Sequence, residues 1–398
     1  MLFKDITPYT YSYRELRKFV RKDDFWKYDL NEPEKLEDIL KEISEYFVCS
    51  NYSINTITKH YIKSMTLFTM DTFYDAVTIR CTDNIIRTAT NFTACSRDNE
   101  ITQLWNMISS ELDDCWIIRT DIHSFFENIP FLDIIHKLRD NLIICNSTYL
   151  HLLSIYNSVY TDKVQGLPRG LPISSSLSDY SMHDFDKYVV RVPGVVYYSR
   201  YVDDIVIITH SAKETLELIK SQLPYNMRIN FNKTHMHSLG TDDNIEYLGY
   251  SFPLKKPITA CISSRKLGKI KQRIVLTLRA FLRDHNYGLL LERLQFITGI
   301  TELHMADREK IFAVGIRYQY RLCNEELILR QLGDLDTFLQ RILRSKRYSI
   351  SRRIRATLSQ QQYSYLLRIS FVSGFRKMIT HSRSRNRIAE IKNAWRYE

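Results

Sequence analysis

Three aspartates of the sequence are placed where they could bind metal ions. Asp203 and Asp204 stand side by side between two apolar runs, within YYSRYVDDIVIITHS at residues 197–211. A tight hairpin would bring both carboxylates to its tip, where desolvating two like charges is unfavourable. A solvated turn would also contain aspartates, because aspartate is common in turns. The pair by itself leaves both interpretations open.

A third carboxylate, Asp121, ends the apolar run CWIIRTD at residues 115–121. If this run is a strand beside the hairpin, three carboxylates collect at one end of a sheet. Such a cluster is tolerated when divalent cations lie between the charges. Hard oxygen ligands favour Mg²⁺, with Mn²⁺ as a substitute. Two ions roughly 3.5–4 Å apart activate an attacking oxygen and stabilise a leaving phosphate oxygen, which predicts phosphoryl transfer.

A glycine- and proline-containing loop lies between the two acidic sites, with the sequence QGLPRGLPISSSLSDY at residues 165–180. Backbone amides of such a loop, and the start of a following helix, can approach a nucleotide or a template closely. A generic loop with a serine cap would have the same composition. The loop alone is therefore a weak signal.

The elements that must position these residues indicate an α+β region at residues 111–255, preceded by residues 1–110 and followed by a helical, basic region at residues 256–398. In the first region, residues 31–47 are predicted as a helix and YDAVTIRCT at 74–82 as a strand. The middle region has predicted strands at 115–121, 194–201, 205–211, 228–239 and 245–252, and predicted helices at 129–142 and 214–225.

Positive charge is concentrated at the C-terminal end. Residues 341–398 contain 15 Lys or Arg and two acidic residues, so the other 340 residues carry −2 of the net charge of +11. Segments such as RSKRYSISRRIR at 344–355 mix arginine with serine and tyrosine, as contacts to phosphate and sugar require. A polyanionic partner is expected there; a solvated helical face is the alternative.

The cysteine pattern and the hydropathy of the sequence indicate which cellular compartment to expect. The seven cysteines include no C-x-x-C pair, which favours reduced thiols over a zinc knuckle or a disulfide framework. No run approaches 18 apolar residues, and no signal peptide is evident. We therefore expect a soluble, cytoplasmic protein with no membrane contact. His235 and His237 share one face of a predicted strand, but no further metal ligands accompany them.

The order of the motifs is more specific than any one of them. It resembles the reverse transcriptase family, in which an Asp-bearing strand, a Gly-rich loop, a Y-x-D-D hairpin, a Lys-bearing turn and an LG-containing hairpin follow one another. The matching blocks are RTDIHSFFENI (119–129), GLPRGLPISSSLSD (166–179), YVDD (201–204), NFNKT (230–234) and YLGY (247–250). The resemblance implies a right-hand polymerase with fingers and palm, followed by an all-helical basic thumb and C-terminal region.

The resemblance also implies a role for particular residues. Asp121, Asp203 and Asp204 would be the catalytic carboxylates that bind two Mg²⁺ ions, with the backbone carbonyl of Ile122 as a further ligand. Lys233 matches the lysine near the departing pyrophosphate, where it could act as a general acid.

Other residues would contact the substrates. Phe126 matches the steric gate, which leaves a ribose 2′-OH without room or a partner and so favours deoxynucleotides. The remaining positions are Gly170 and Arg169 in the loop, Arg80 and Arg87 as candidate triphosphate ligands, and Tyr247, Leu248, Gly249 and Tyr250 as the primer grip.

Arg169 departs from the pattern, because the family's loop usually has glutamine before its second glycine. The segment RGLPISSSLSD resembles bacterial abortive-infection and defence-associated reverse transcriptases, among them the smaller enzyme of a type 3 defence system. The implied activity is RNA-directed DNA synthesis from dNTPs on a non-coding RNA template in phage defence. A homo-oligomer or a complex with a second defence protein is left open. An RNA-templated RNA polymerase and a non-catalytic RNA-binding scaffold are the alternatives.

Overall fold

The structure is a computed structural model that describes residues 11–30, 33–49, 52–54, 56–62, 65–92, 96–112, 114–160, 166–303 and 312–395. The chain forms two units, and each has its own core. Unit 1 comprises Met1–Glu100 and Leu112–Leu239, and unit 2 comprises Ile101–Glu111 and Gly240–Glu398. The three-region division expected from sequence stays a prediction.

Unit 1 mixes helices with a hairpin and a four-stranded sheet, and α5 continues into unit 2. Its elements in chain order are α1 (Tyr13–Arg17), α2 (Lys22–Lys27), α3 (Pro33–Val48), β1 (Ile57–Ile62), β2 (Met65–Met70), α4 (Phe73–Ala89), α5 (Arg97–Ser109), β3 (Trp116–Asp121), α6 (Phe125–Asn128), α7 (Phe131–Asp140), α8 (Asn146–Val159), α9 (Ile173–Val190), β4 (Val195–Tyr201), β5 (Asp204–Thr209), α10 (Ala212–Gln222) and β6 (His235–Ser238).

The strand predicted at residues 74–82 is wrong, because this run lies inside α4. Its buried residues Phe73, Val77, Cys81 and Ile85 recur every four positions, which is the spacing of one helix face rather than of a strand. The side chain of Thr72 caps the helix by accepting a hydrogen bond from the backbone N–H of Asp75. The apolar face packs into a core shared with α1 and α3.

The four-stranded sheet has the order β4-β5-β3-β6, with all neighbouring strands antiparallel. Alternate residues of each strand point to opposite faces. Ile118, Ile205 and Ile207 belong to one face and to a core built with α7, α8 and α9. Each is fully buried, and each such side chain contributes about 1.5–3 kcal/mol by its removal from water. This core supports one face of the sheet, and Asp121 and Asp204 lie on the opposite face.

Unit 2 is mainly helical. Its elements are β7 (Asn244–Tyr247), β8 (Tyr250–Pro253), β9 (Cys261–Ile262), α11 (Ser264–Asp284), α12 (Tyr287–Thr298), β10 (Ile300–Leu303), β11 (Phe312–Val314), α13 (Ile316–Gln319), α14 (Glu325–Arg344), α15 (Ser349–Thr357), α16 (Gln360–Leu366), α17 (Phe371–Arg376), β12 (Thr380–Ser382) and α18 (Arg385–Lys392). The α+β class is confirmed.

The C-terminal region is not all-helical as expected, because β10, β11 and β12 form a small three-stranded sheet. These strands are only three or four residues long, too short for a periodic pattern to reveal them in a sequence. Over the described residues, no helix is both long enough and apolar enough to cross a bilayer.

Candidate active site

Two of the three predicted carboxylates lie directly opposite each other. Asp121, the last residue of β3, is the register partner of Asp204, the first residue of β5. Directly paired residues of antiparallel strands have their side chains on the same face, about 4.5–5.5 Å apart at Cβ. Asp203 lies in the adjoining turn, where its carbonyl accepts a hydrogen bond of 3.0 Å from the backbone N–H of Ile122. The structure therefore brings Asp121, Asp203 and Asp204 together.

The turn that carries Asp203 is strained. Val202 has a φ of 61°, a left-handed conformation that is unfavourable for a β-branched residue. Tyr201 and Asp204 are paired across the ends of β4 and β5, so only Val202 and Asp203 make the turn. Such two-residue turns match the twist of the strands they join, and the strain stays at the residue beside the acidic group.

A buried ionic network connects this turn to helix α9. Arg200 donates a 3.0 Å hydrogen bond to the carbonyl of Val202 and a bidentate pair of 2.8 and 2.7 Å to Asp186 of α9. Arg200 also pairs with Asp179 at 3.3 Å. Burial raises the pKa of Asp179 to about 6 despite that arginine. The network ties the hairpin to α9 and compensates the strain at Val202.

Each of the two paired carboxylates has its own basic partner. The Nζ atom of Lys233 lies 2.9 Å from both carboxylate oxygens of Asp121, and Arg119 donates to Asp204 at 3.0 Å. In the part of the chain that is described, no set of three or more His, Cys, Asp or Glu side chains is arranged as a metal site. The predicted metal ligands are thus adjacent, but two of them bind basic side chains.

Asp203 differs from its two neighbours. Its pKa is raised, first by burial and then by the negative charges of Asp121 and Asp204. The three carboxylates share two basic partners, Lys233 and Arg119. The cluster therefore has an unbalanced negative charge centred on the turn.

The glycine-containing loop that follows Tyr160 packs against Phe126, the predicted steric gate. The carbonyl of Phe126 accepts a 2.7 Å hydrogen bond from the backbone N–H of Leu167. A Cβ atom at Gly166 would lie 2.4 Å from that carbonyl oxygen and from the Cα of Glu127. Only glycine permits this approach of two backbones. Gly166 is not among the positions predicted from sequence, although the loop that contains it is.

We expect Gly166→Ala to lower the free energy of unfolding by about 1–3 kcal/mol, because the new methyl group must push the loop away from α6. Chemical denaturation measures the change. The matched control is Gly333→Ala in α14, where a Cβ would meet nothing within 4 Å. That variant should gain roughly 0.5–1 kcal/mol from its lower unfolded-state entropy. Equal effects of the two variants would contradict the tight contact.

Gly170 and Arg169, both predicted in the loop, contact β2. The carbonyl of Arg169 accepts a 2.7 Å hydrogen bond from the N–H of Phe68. Gly170 has a φ of 101°, and a Cβ there would lie 2.5 Å from the carbonyl oxygen of Phe68. The loop is therefore fixed between β2 and α6. The expected contact of Gly170 with a nucleotide stays a prediction.

The two arginines predicted for the triphosphate bind other acids. Arg80 is 9% exposed and forms a bidentate pair of 2.6 and 2.9 Å with the buried Asp24. Arg87 pairs with Asp83 at 2.9 Å one turn away on α4. The structure does not bring either guanidinium into contact with Asp121, Asp203 or Asp204, and their role in binding stays a prediction.

The predicted primer-grip residues form a hairpin in unit 2. Tyr247 and Tyr250 end β7 and begin β8, and both side chains are completely buried. Leu248 and Gly249 make the turn, with φ values of 45° and 89°. Two successive positive φ values are typical of a type I′ turn. The tyrosines pack the core, and the expected contact of this hairpin with a primer stays a prediction.

Arg119 and Glu127 are further residues of the site that the sequence interpretation missed. Arg119 lies two positions before Asp121, so the strand periodicity alone could have placed it on the same face. Glu127 gives no such signal, because its contact with Arg169 joins distant parts of the chain.

Comparison with known proteins agrees with the motif order. The family described as "Reverse transcriptase (RNA-dependent DNA polymerase)" matches residues 53–252, half of the chain. No curated protein matches.

Solved structures of telomerases are similar to parts of the chain. Apo telomerase from Candida tropicalis has 10% identity over 85% of this chain and 65% of its own, with a TM-score of 0.38. Telomerase from Candida albicans in complex with a fragment of telomeric RNA has 12% identity over 73% and 55%, with a TM-score of 0.35. A truncated Candida tropicalis telomerase has 12% identity over 47% and 44%, with a TM-score of 0.33.

This chain thus spans between 44% and 65% of the length of those telomerase chains. The family match covers the strand that bears Asp121, the glycine loop, the hairpin of Asp203 and Asp204, and the turn of Lys233. These are the elements that the structure assembles around the acidic group. The chain belongs to the reverse transcriptase family.

Proposed function

We propose that the protein is an RNA-directed DNA polymerase that extends a primer with dNTPs. The observation that carries the proposal is the pairing of Asp121 with Asp204 across two strands, with Asp203 in the adjoining turn. A family member with this arrangement has the groups needed for phosphoryl transfer, in which positioning and charge neutralisation do most of the work.

The donor set of the acidic group fits Mg²⁺. Three carboxylates offer hard oxygen ligands. The pKa of Asp203 is raised first by burial and then by its acidic neighbours, and a bound cation would offset both effects. Ile122 donates its N–H to the carbonyl of Asp203, so its backbone lies beside the turn, where its own carbonyl is the proposed fourth ligand. Asp121, Asp203, Asp204 and this carbonyl would hold two ions, which when bound activate the primer 3′-OH and stabilise the leaving phosphate.

Lys233 would act on the leaving group. Its ammonium is held by Asp121, while its side chain is 45% exposed. A flexible four-carbon stem lets the ammonium exchange the carboxylate for a phosphate oxygen. There it can neutralise the departing pyrophosphate and donate a proton to it.

The C-terminal basic region would hold RNA. Segment 341–355 contains seven Lys or Arg and no acidic residue, and Arg347, Arg352 and Arg353 are exposed. Because segment 169–179 resembles that of bacterial defence-associated enzymes, we place the activity in phage defence, with an associated non-coding RNA as template. If the purified chain is inactive alone, the polymerase activity requires a homo-oligomer or a second defence protein.

Sugar selection tests the proposal. The purified protein should extend a primed RNA template with dNTPs, and Phe126→Ala should reduce the preference for dNTPs over rNTPs by roughly 10–200-fold, the range that steric discrimination of one small group gives. Single-nucleotide kcat/KM values measure the ratio. Extension by the wild type with rNTPs alone would indicate an RNA polymerase, and no extension with either would indicate a scaffold.

A further inference from the structure

Arg169 occupies a position beside the steric gate. Its guanidinium carbon lies 4.9 Å from the centre of the Phe126 ring, a distance at which a cation is attracted to an aromatic face. The ring of Phe125 also meets that of Phe126, with centroids 5.3 Å apart and an interplanar angle of 70°. The Phe126 ring thus contacts both a buried phenyl group and a guanidinium.

Glu127 in turn holds Arg169. The guanidinium donates two hydrogen bonds to the carboxylate, of 2.6 Å from Nε and 2.9 Å from an Nη atom. The bidentate geometry fixes the plane of the guanidinium as well as its position. Glu127 is 47% exposed and Arg169 is 26% exposed, so the pair adds little to overall stability. The main effect of the pair is to fix the orientation of the Arg169 guanidinium.

The same loop also holds the backbone of the gate. Leu167 donates to the carbonyl of Phe126, Gly166 presses on that carbonyl, and the hydroxyl of Tyr160 donates to the carbonyl of Gly166 at 2.6 Å. Arg169 extends from this anchored loop. Backbone and ring of Phe126 are therefore positioned by one segment.

We propose that Glu127 and Arg169 form a clamp that locks the ring of Phe126 and thereby sets how strictly ribonucleotides are excluded. Neither residue needs to touch the nucleotide for this, so both are positioning residues. A gate discriminates only if its ring cannot turn away from the sugar, because a mobile ring would yield to a 2′-OH. The inference rests on the proposed polymerase activity for its functional consequence, but the locking of the ring can be observed separately.

The test uses Glu127→Gln and Arg169→Met in the full-length protein. Each should reduce the dNTP-over-rNTP ratio of kcat/KM by roughly 3- to 10-fold, the size of one partly exposed cation–π or bidentate restraint. The change should come mainly from better use of rNTPs. Arg169→Lys keeps the charge but not the fork, and should fall between wild type and Arg169→Met.

The matched control is Glu37→Gln. Glu37 accepts from Arg17 at 2.6 Å and is 44% exposed, so it is a similar surface ion pair on α3, with no contact to the gate. It should leave the ratio unchanged. Equal ratios in wild type and Glu127→Gln, or an Arg169→Met variant that raises KM equally for both sugars, would overturn the clamp and indicate direct nucleotide binding by Arg169.

A second readout does not depend on activity. With 4-fluorophenylalanine incorporated at position 126, the ¹⁹F resonance should be single and sharp in the wild type. It should broaden or split in Glu127→Gln and stay sharp in Glu37→Gln. An unchanged resonance in Glu127→Gln would refute the clamp. A changed resonance in a protein that extends no primer would keep the clamp and refute the proposed function instead.

Discussion

Replacing Asp203 and Asp204 together by asparagine is expected to reduce DNA synthesis by more than about 10³-fold, since bound cations contribute several kcal/mol to such a transition state. Asparagine keeps the size of the side chain and removes the charge that would hold the ions. The measurement is single-nucleotide extension of a primed RNA under saturating Mg²⁺. RNA binding, measured in parallel, should persist.

Replacing Asp203 should not lower the thermal stability of the protein, although it should lower activity. The folded protein raises the pKa of Asp203, so folding disfavours its charged form at neutral pH. The single change Asp203→Asn removes that charge, and its thermal midpoint should equal or exceed that of the wild type. Asp38→Asn, at an exposed position of α3, is the control and should retain activity. DNA synthesis at the wild-type rate by the variant with both Asp203 and Asp204 replaced would contradict the assignment of the site.

RNA affinity is expected to fall by about 10³–10⁵ between 50 and 200 mM salt, if the basic region neutralises 6–10 phosphates. Segment 341–355 is the main candidate because, within the described chain, none of its seven cationic side chains pairs with a carboxylate. Arg347→Gln, Arg352→Gln and Arg353→Gln combined should reduce the slope of log K against log salt by about 2–3, since each phosphate contact contributes roughly 0.7–0.9.

The control for charge alone is a triple variant of exposed lysines in α3 and α10, namely Lys35→Gln, Lys41→Gln and Lys213→Gln. It changes the net charge of the protein by the same amount. Its slope should match that of the wild type. If both triple variants lowered the slope equally, RNA binding would depend on total charge and not on the C-terminal segment.

The acidic group could be largely predicted from sequence because its parts are local. Asp121 ends an apolar strand, and Asp203 and Asp204 follow another, so strand periodicity alone indicates where each carboxylate lies. The sequence left it as a possibility that the strand of Asp121 lies beside the hairpin. The structure adds the register, which sets Asp121 opposite Asp204.

The parts that sequence did not reveal depend on contacts between distant segments. Arg169 differs from the family pattern, but its pairing with Glu127 and its contact with Phe126 join residues about forty positions apart. Helix α4 was misread as a strand because its β-branched residues outweighed a four-residue spacing. Its buried face makes sense only once α1 and α3 are in place, since tertiary packing overrides local preference.

The central claim is that three carboxylates jointly bind divalent cations. The most direct measurement is a crystal structure of the protein with Mn²⁺, a primed RNA template and a non-reactive dNTP analogue, using the anomalous signal of manganese. We expect manganese bound by Asp121, Asp203 and Asp204 together, with Lys233 released from Asp121. Manganese at other residues, or an acidic group still paired with Lys233 and Arg119 beside the bound nucleotide, would contradict it.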